Sequence, residues 1–281
     1  MVFRLFILFV CFGPLSTAIS CYDCLSVPQL YNYTVTADTI PKAYNDCPIK
    51  SNQTMCYISF QLLLTSNQTK IIFASTGERT EKSSVSPLLS IRADTHGSGA
   101  NQSTKHVFHY SCASDQCTNV DILRRILRSS TVTDQFVDFK DLLIPVEPVD
   151  GHSCLLFFNK TESDICDMDI PTDPHQCRVC STKDMQDSQG YRICAGCFAY
   201  GHHISAIVYE VQFDINDQTS EDDLLINCQP KHCNGIETIK LIRQKTLIQF
   251  NYNQFINDSQ RSKLNITLFF MMIVLLIQTL F

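Results

Sequence analysis

The stretch CASDQCTN at 112–119 returns further along the chain as CQPKHCN at 228–234. Each closes a series of six cysteines. The first series is Cys21, Cys24, Cys47, Cys56, Cys112 and Cys117; the second is Cys177, Cys180, Cys194, Cys197, Cys228 and Cys233. Both open on C-x2-C, carry two central cysteines, and end on C-x4-C followed by Asn or Thr-Asn. The following residues agree as well, VDILRRI at 120–126 against IETIKLI at 236–242. Cysteine order and flanking pattern are independent signals, and together they argue for two copies of one module with loops of unequal length. Cys154 and Cys166 fall outside both series and flank LLFFNKTESDI, read as a strand and turn closed by its own bridge.

Between the cysteines the pattern is β. Residues 55–64 (MCYISFQLLL) and 70–76 are strand-rich on either side of the turn-like Ser66-Asn67, and 207–215 (IVYEVQFDI) alternates. Residues 106–110 and 224–226 lead as strands into Cys112 and Cys228. A short helix is expected after each closing pair. In the first, Ile122, Leu123, Ile126 and Leu127 share one face beside Arg124, Arg125 and Arg128, a stripe suited to packing on the module's own sheet. Residues 77–105 are polar, with Leu88, Leu89 and Ile91 as apolar islands, and read as a flexible surface loop. The expected fold is mainly β. It holds a first cysteine-rich module over 21–130, a connecting segment over 131–176, a second module over 177–250 and a spacer over 251–263.

The ends read as addresses. Residues 1–20 carry Arg4, an apolar run from Phe3 to Phe12, and small residues Ala18 and Ser20 at −3 and −1, the pattern of a secretory signal peptide cut before Cys21. Residues 264–281 are apolar, with Asn257, Asp258 and Ser259 and a polar spacer upstream, the pattern of a glycolipid-anchor signal with Asn257 or Ser259 as attachment residue. A single transmembrane helix is the alternative for that tail. Export through an oxidising lumen accounts for the cysteines. It also makes the Asn-x-Ser/Thr triplets at Asn32, Asn52, Asn67, Asn101 and Asn159 candidate glycan sites; Asn257 heads a sixth but cannot carry both lipid and glycan.

The full chain has 22 basic against 28 acidic residues, a net charge of −6. Cutting after Ser20 and Asn257 removes Arg4, Arg261, Lys263 and Asp258, leaving 19 against 27 and a charge of −8. That balance argues against nucleic acid, heparin or anionic headgroups as ligand. No Gly-x-Ser-x-Gly, His-Glu-x-x-His or phosphate loop occurs, and nothing assembles a nucleophile, base and orienting group, so an enzyme is not expected. Cys177, Cys180, Cys194 and Cys197 have the spacing of a four-thiolate zinc site, yet export and the wider Cys47/Cys56 spacing in the first module weigh against it. His202-His203 are neighbours, which point to opposite faces of a strand and chelate poorly. No cofactor is expected.

The C-x2-C opening, the Cys56-Tyr57 strand and the closing C-x4-C-Asn resemble the three-finger superfamily of the urokinase receptor, lymphocyte surface antigens and snake toxins. The likeness covers about 21–119 and 177–234. Six cysteines allow fifteen pairings, and the residues alone do not choose among them. The resemblance implies Cys21–Cys56, Cys24–Cys47 and Cys112–Cys117, with Cys177–Cys197, Cys180–Cys194 and Cys228–Cys233 in the second module. It implies that Asn234 packs against the cysteine knot, whereas Thr118 separates Cys117 from Asn119 in the first. It further implies a secreted or lipid-anchored, non-enzymatic protein presenting loops, here 57–111 and 198–227 with Tyr200, His202 and His203, to a protein ligand or neighbouring receptor. A protective surface coat is the alternative, as is a single-pass protein with a zinc-binding second module.

Overall fold

The computed structural model describes residues 18–76, 86–97, 102–146, 149–158, 173–187, 190–198 and 205–258. Its strands are β1 (Ile19–Tyr22), β2 (Leu30–Tyr31), β3 (Ile49–Gln53), β4 (Met55–Leu63), β5 (Gln68–Thr76), β6 (Leu88–His96), β7 (Ser103–Cys112), β8 (Ser130–Thr133), β9 (Phe157–Phe158), β10 (Val179–Asp187), β11 (Gly190–Phe198), β12 (Ala206–Asp214), β13 (Thr219–Cys228) and β14 (Leu247–Phe250). Two α-helices follow the closing cysteine pairs, α1 (Val120–Ser129) and α2 (Ile236–Lys245). The fold is mainly β and disulfide-rich.

Ten strands form one sheet in the order β2-β5-β4-β7-β6-β12-β13-β10-β11-β9. Read from the centre outward, the two halves match: β6 with β12, β7 with β13, β4 with β10, β5 with β11 and β2 with β9. They meet where β6 and β12 pair antiparallel over nine residues, with Arg92 facing Glu210 at the middle of the register. A second antiparallel pair, β8 with β14, joins the segments that follow the helices. The chain is thus a pseudo-two-fold pair of modules locked together by two strand pairings.

The segment 77–105, expected as a flexible loop, contains β6 and the start of β7. Its composition is polar, but LLSIRADT alternates. Leu89, Ile91 and Ala93 face the core and are fully buried, while Ser90 and Arg92 point the other way. Polar content on one face of a strand hid a central strand. In α1, Leu123 and Ile126 are buried against the sheet, and Asn119 Oδ1 caps the helix by accepting from Ile122 N at 2.9 Å. The arginines beside this stripe are engaged within the chain: Arg125 lies over the Phe255 ring and donates to its carbonyl, and Arg128 pairs with Asp38.

Disulfides join Cys21–Cys56, Cys24–Cys47, Cys112–Cys117, Cys177–Cys197 and Cys228–Cys233. Cys180 differs from both expectations that concern it. It pairs with Cys154, so neither Cys180–Cys194 nor Cys154–Cys166 forms. The ladder explains the shift. Cys56 stands opposite Cys112 in β4·β7, and Cys180 stands opposite Cys228 in β10·β13. Cys180 is therefore the counterpart of Cys56, and Cys154 that of Cys21. The second module opens at Cys154, with β9 as its edge strand, and not at the C-x2-C of Cys177. Cys194 is also disulfide-bonded, and Cys166 lies outside the described residues.

Candidate functional site

One face of the ten-stranded sheet carries the helices and the β8·β14 pair; the other turns away from them. On that outer face, across the module junction, lies a groove of about 460 Å³. Its floor is Ser90 and Arg92 of β6 with Val107 and His109 of β7; its far wall is Glu210 and Gln212 of β12. A smaller hollow of about 140 Å³ shares Glu210 and Gln212 and continues over Arg192, Glu221 and Asp223. Both modules contribute to this surface, and strand alternation orients its side chains.

Its charges are internally balanced. Buried Asp94 is met by Arg92 Nε at 3.1 Å, His96 Nδ1 at 3.5 Å and Lys105 Nζ at 3.7 Å. Ser90 Oγ donates to Glu210 Oε1 at 2.6 Å, and Lys183 lies 3.2 Å from Asp223. Burial lowers the His109 pKa below its ordinary value against the opposing charge of Glu210. Burial likewise raises Asp223, despite Lys183. Such a surface offers ion pairs and polar groups held in place by the strand ladder. Sequence reading missed Arg92, Asp94, His109 and Glu210; the signal available for the first two was the alternation of 88–95.

On the helix side, α2 directs Arg243 between Asp184 and Asp222, at 2.5 and 2.6 Å. Burial alone would lower the guanidinium pKa. The hydrogen bonds and charges of the two carboxylates hold it above its ordinary value, so the group stays a fixed cation. Asp184 is fully buried, and this ion cluster braces α2 on the sheet. In the first module, His106 and Asp134 pair at 2.5 Å in a related place.

The cysteine cluster of the second module is closed by Asn234, as the resemblance implied. Its Nδ2 donates to the carbonyls of Leu155, Ser181 and Gly196 at 3.1, 3.1 and 3.3 Å, and its Oδ1 accepts from Leu155 N at 2.8 Å. Each of those partners is the chain neighbour of a bridged cysteine: Cys154, Cys180 or Cys197. The four-thiolate zinc reading fails here, because Cys177, Cys180, Cys194 and Cys197 are all oxidised. Among the described residues no cluster of three or more His, Cys, Asp or Glu is arranged to hold a metal.

The expected contact loops resolve differently. Residues 57–111 hold β4 to β7, and 205–227 hold β12 and β13; Tyr200, His202 and His203 lie outside the described residues. Asn32, Asn52, Asn67 and Asn257 are exposed, Asn52 within β3 and Asn67 in a turn both sit at positive φ, and Asn101 and Asn159 lie outside the described residues. Among the described residues no helix is long and apolar enough to cross a membrane, and the tail 264–281 is not among them. No family model matches the chain, and neither a curated protein nor a solved structure does.

Proposed function

We propose that the chain is a non-enzymatic, extracellular binding protein of the three-finger type. It is held at the outer face of the plasma membrane by a glycolipid at Asn257, and it takes a protein ligand on the outer face of its sheet at the module junction. One observation carries this reading. The groove over Arg92, His109, Glu210 and Gln212 is built from both modules, on a sheet braced by disulfides and, among the described residues, left uncovered on that face. A rigid, two-module platform of fixed polar groups is suited to recognition and supplies no constellation for catalysis. The oxidised cysteines agree with export. The closing role of Asn234 supports the three-finger likeness.

The test is affinity capture from the cells that express the protein, comparing wild type with Ser59→Arg/Gln212→Arg. Both side chains point outward into the groove, so the substitutions fill it without entering the core. A specific surface partner retained by wild type and lost by this variant, at equal surface display, supports the reading. A partner retained by both overturns the proposed surface. Release by phosphatidylinositol phospholipase checks the anchor separately, and retention with a cytoplasmic epitope overturns it.

A further inference from the structure

On the opposite face of the sheet, between the β8·β14 ribbon and the β12–β13 hairpin, lies a cleft of about 690 Å³, the size that holds a small ligand. Four aromatic rings wall it. Phe213 and Phe250 are packed together at 5.5 Å, and Tyr252 meets both edge-on and donates its hydroxyl to Thr219 O at 2.7 Å across the opening. Tyr209, partly buried, is the fourth.

Apart from Val211 and Ile248, the remaining lining is polar, and its two ionic groups have partners. Each of these meets a counter-charge: Arg128 donates to the exposed Asp38 at 2.6 Å, and Asp222 accepts from Arg243 at 2.6 Å. What is left is hydroxyl and carboxamide, from Gln218, Ser220, Gln249 and Asn251. At the cleft's inner end stands Ser129, only 4% exposed, with a hydroxyl that has no hydrogen-bond partner. An enclosed hydroxyl without a partner is costly, and it marks a place where a partner can be supplied from outside.

Each ligand class can be set against this lining. An anion would have to compete with Asp38 for Arg128, and a cation with Arg243 for Asp222. A wholly apolar ligand would strand the amides and hydroxyls. A neutral sugar presents C–H faces to aromatic rings and hydroxyls that both donate and accept, which is what Ser, Asn and Gln complement. We propose that this cleft binds a neutral oligosaccharide of two or three residues, walled by Tyr209 and Tyr252 and hydrogen-bonded by Ser129 and Gln249. The site is independent of the protein-ligand groove, since it lies on the other face of the sheet. The sugar has two sources to tell apart: a glycan in the surroundings, or one carried by the chain itself at another of its Asn-x-Ser/Thr triplets.

The test uses the full-length glycoprotein in detergent micelles, titrated with mannotriose and with N,N′-diacetylchitobiose and read by saturation-transfer NMR. Binding to the untreated protein identifies a free sugar as occupant. Binding that appears only after enzymatic removal of the protein's own glycans identifies a self-carried one. No binding in either state overturns the proposal. Ser129→Ala and Gln249→Ala are each expected to weaken the responsive sugar about fivefold, the loss of one hydrogen bond. Ser129→Ala should leave the melting temperature unchanged or raised, since it removes an unsatisfied group. Unchanged affinity in both variants also overturns the proposal.

Discussion

Asn234→Ala tests the claim that one side chain holds the second cysteine cluster together. The residue is fully buried, and its carboxamide binds backbone groups beside Cys154, Cys180 and Cys197. Its Nδ2 has two hydrogens for three carbonyls, so two well-formed bonds are a fair count of what it donates. Each contributes about 1 kcal/mol net. The truncation also leaves Leu155 N–H, now bonded at 2.8 Å, without an acceptor in a largely buried place. That orphan costs about 1–2 kcal/mol more. The expected loss is about 3–4 kcal/mol, or roughly 6–16 °C in melting temperature for a chain of this size. Asn234→Asp should be worse than alanine, because it keeps the acceptor for Leu155 but turns a buried carboxylate toward three carbonyls. Denaturant unfolding with the disulfides intact measures both. The first module supplies the control: Thr118 stands where Asn234 stands, is fully buried, and has a hydroxyl without a partner. Thr118→Val should therefore be neutral or stabilising. A loss under about 1 kcal/mol for Asn234→Ala, or equal losses for the two positions, refutes the reasoning.

Peptide mapping under non-reducing conditions should recover Cys154–Cys180 linked, together with Cys166–Cys194, since Cys166 is the one mature cysteine left to pair with Cys194; a Cys154–Cys166 peptide would contradict the ladder. The mature N-terminus, read by mass spectrometry, should be Ile19 rather than Cys21. Ile19 is buried and paired with Gln53 in β1·β3, and Ser16 and Ala18 also satisfy the small-residue rule for cleavage; a chain starting at Cys21 refutes this. Calorimetry should show one unfolding transition, because nine register pairs in β6·β12 and four in β8·β14 couple the modules, and two separated transitions would show that they melt independently. Acid should destabilise the chain partly through Asp134. Burial raises its pKa, but the His106 hydrogen bond, Phe136 N–H and the His106 charge outweigh that and hold it below the ordinary 3.8. Its contribution is present above that value and is lost as pH falls through the lower folded pKa, so the gap between wild type and Asp134→Asn should narrow below pH 4.

Much of this was legible in the residues. The doubled cysteine frame gave two β modules, and the stripe of Leu123 and Ile126 gave α1. What misled was spacing. Cys177-x2-Cys180 copies Cys21-x2-Cys24 in sequence, yet the ladder equates Cys180 with Cys56, because pairing follows which strands lie opposite one another and not the interval between cysteines along the chain. The β6 strand was hidden by composition: a strand at the middle of a one-sided sheet needs apolar residues at every second position only. The junction groove was not legible at all. Glu210 faces Arg92 through a register of 118 residues' separation, and no local signal encodes that meeting.

The pseudo-two-fold also explains why the two sides of the junction differ. Ala93 faces His106 in β6·β7 as Val211 faces Asp222 in β12·β13, so His106 and Asp222 hold related positions. His106 is used up by Asp134, which draws the segment after β8 down onto β7. Asp222 is turned toward Arg243 of α2, and at the place related to Asp134 stands Phe250, which is buried. The aromatic walls follow the same asymmetry. Tyr209, Phe213 and Phe250 correspond to Ile91, Thr95 and Asp134, while Tyr252 corresponds to the fully buried Phe136. A duplicated fold needs only that both halves bury their own cores, and Leu89 and Ile91 on one side with Ile207 and Val211 on the other do so. At the cleft, Tyr209 and Tyr252 are partly exposed, while Phe213 and Phe250 also pack into the core. The second module's side thus carries a ring-lined cleft where the first carries the His106–Asp134 pair.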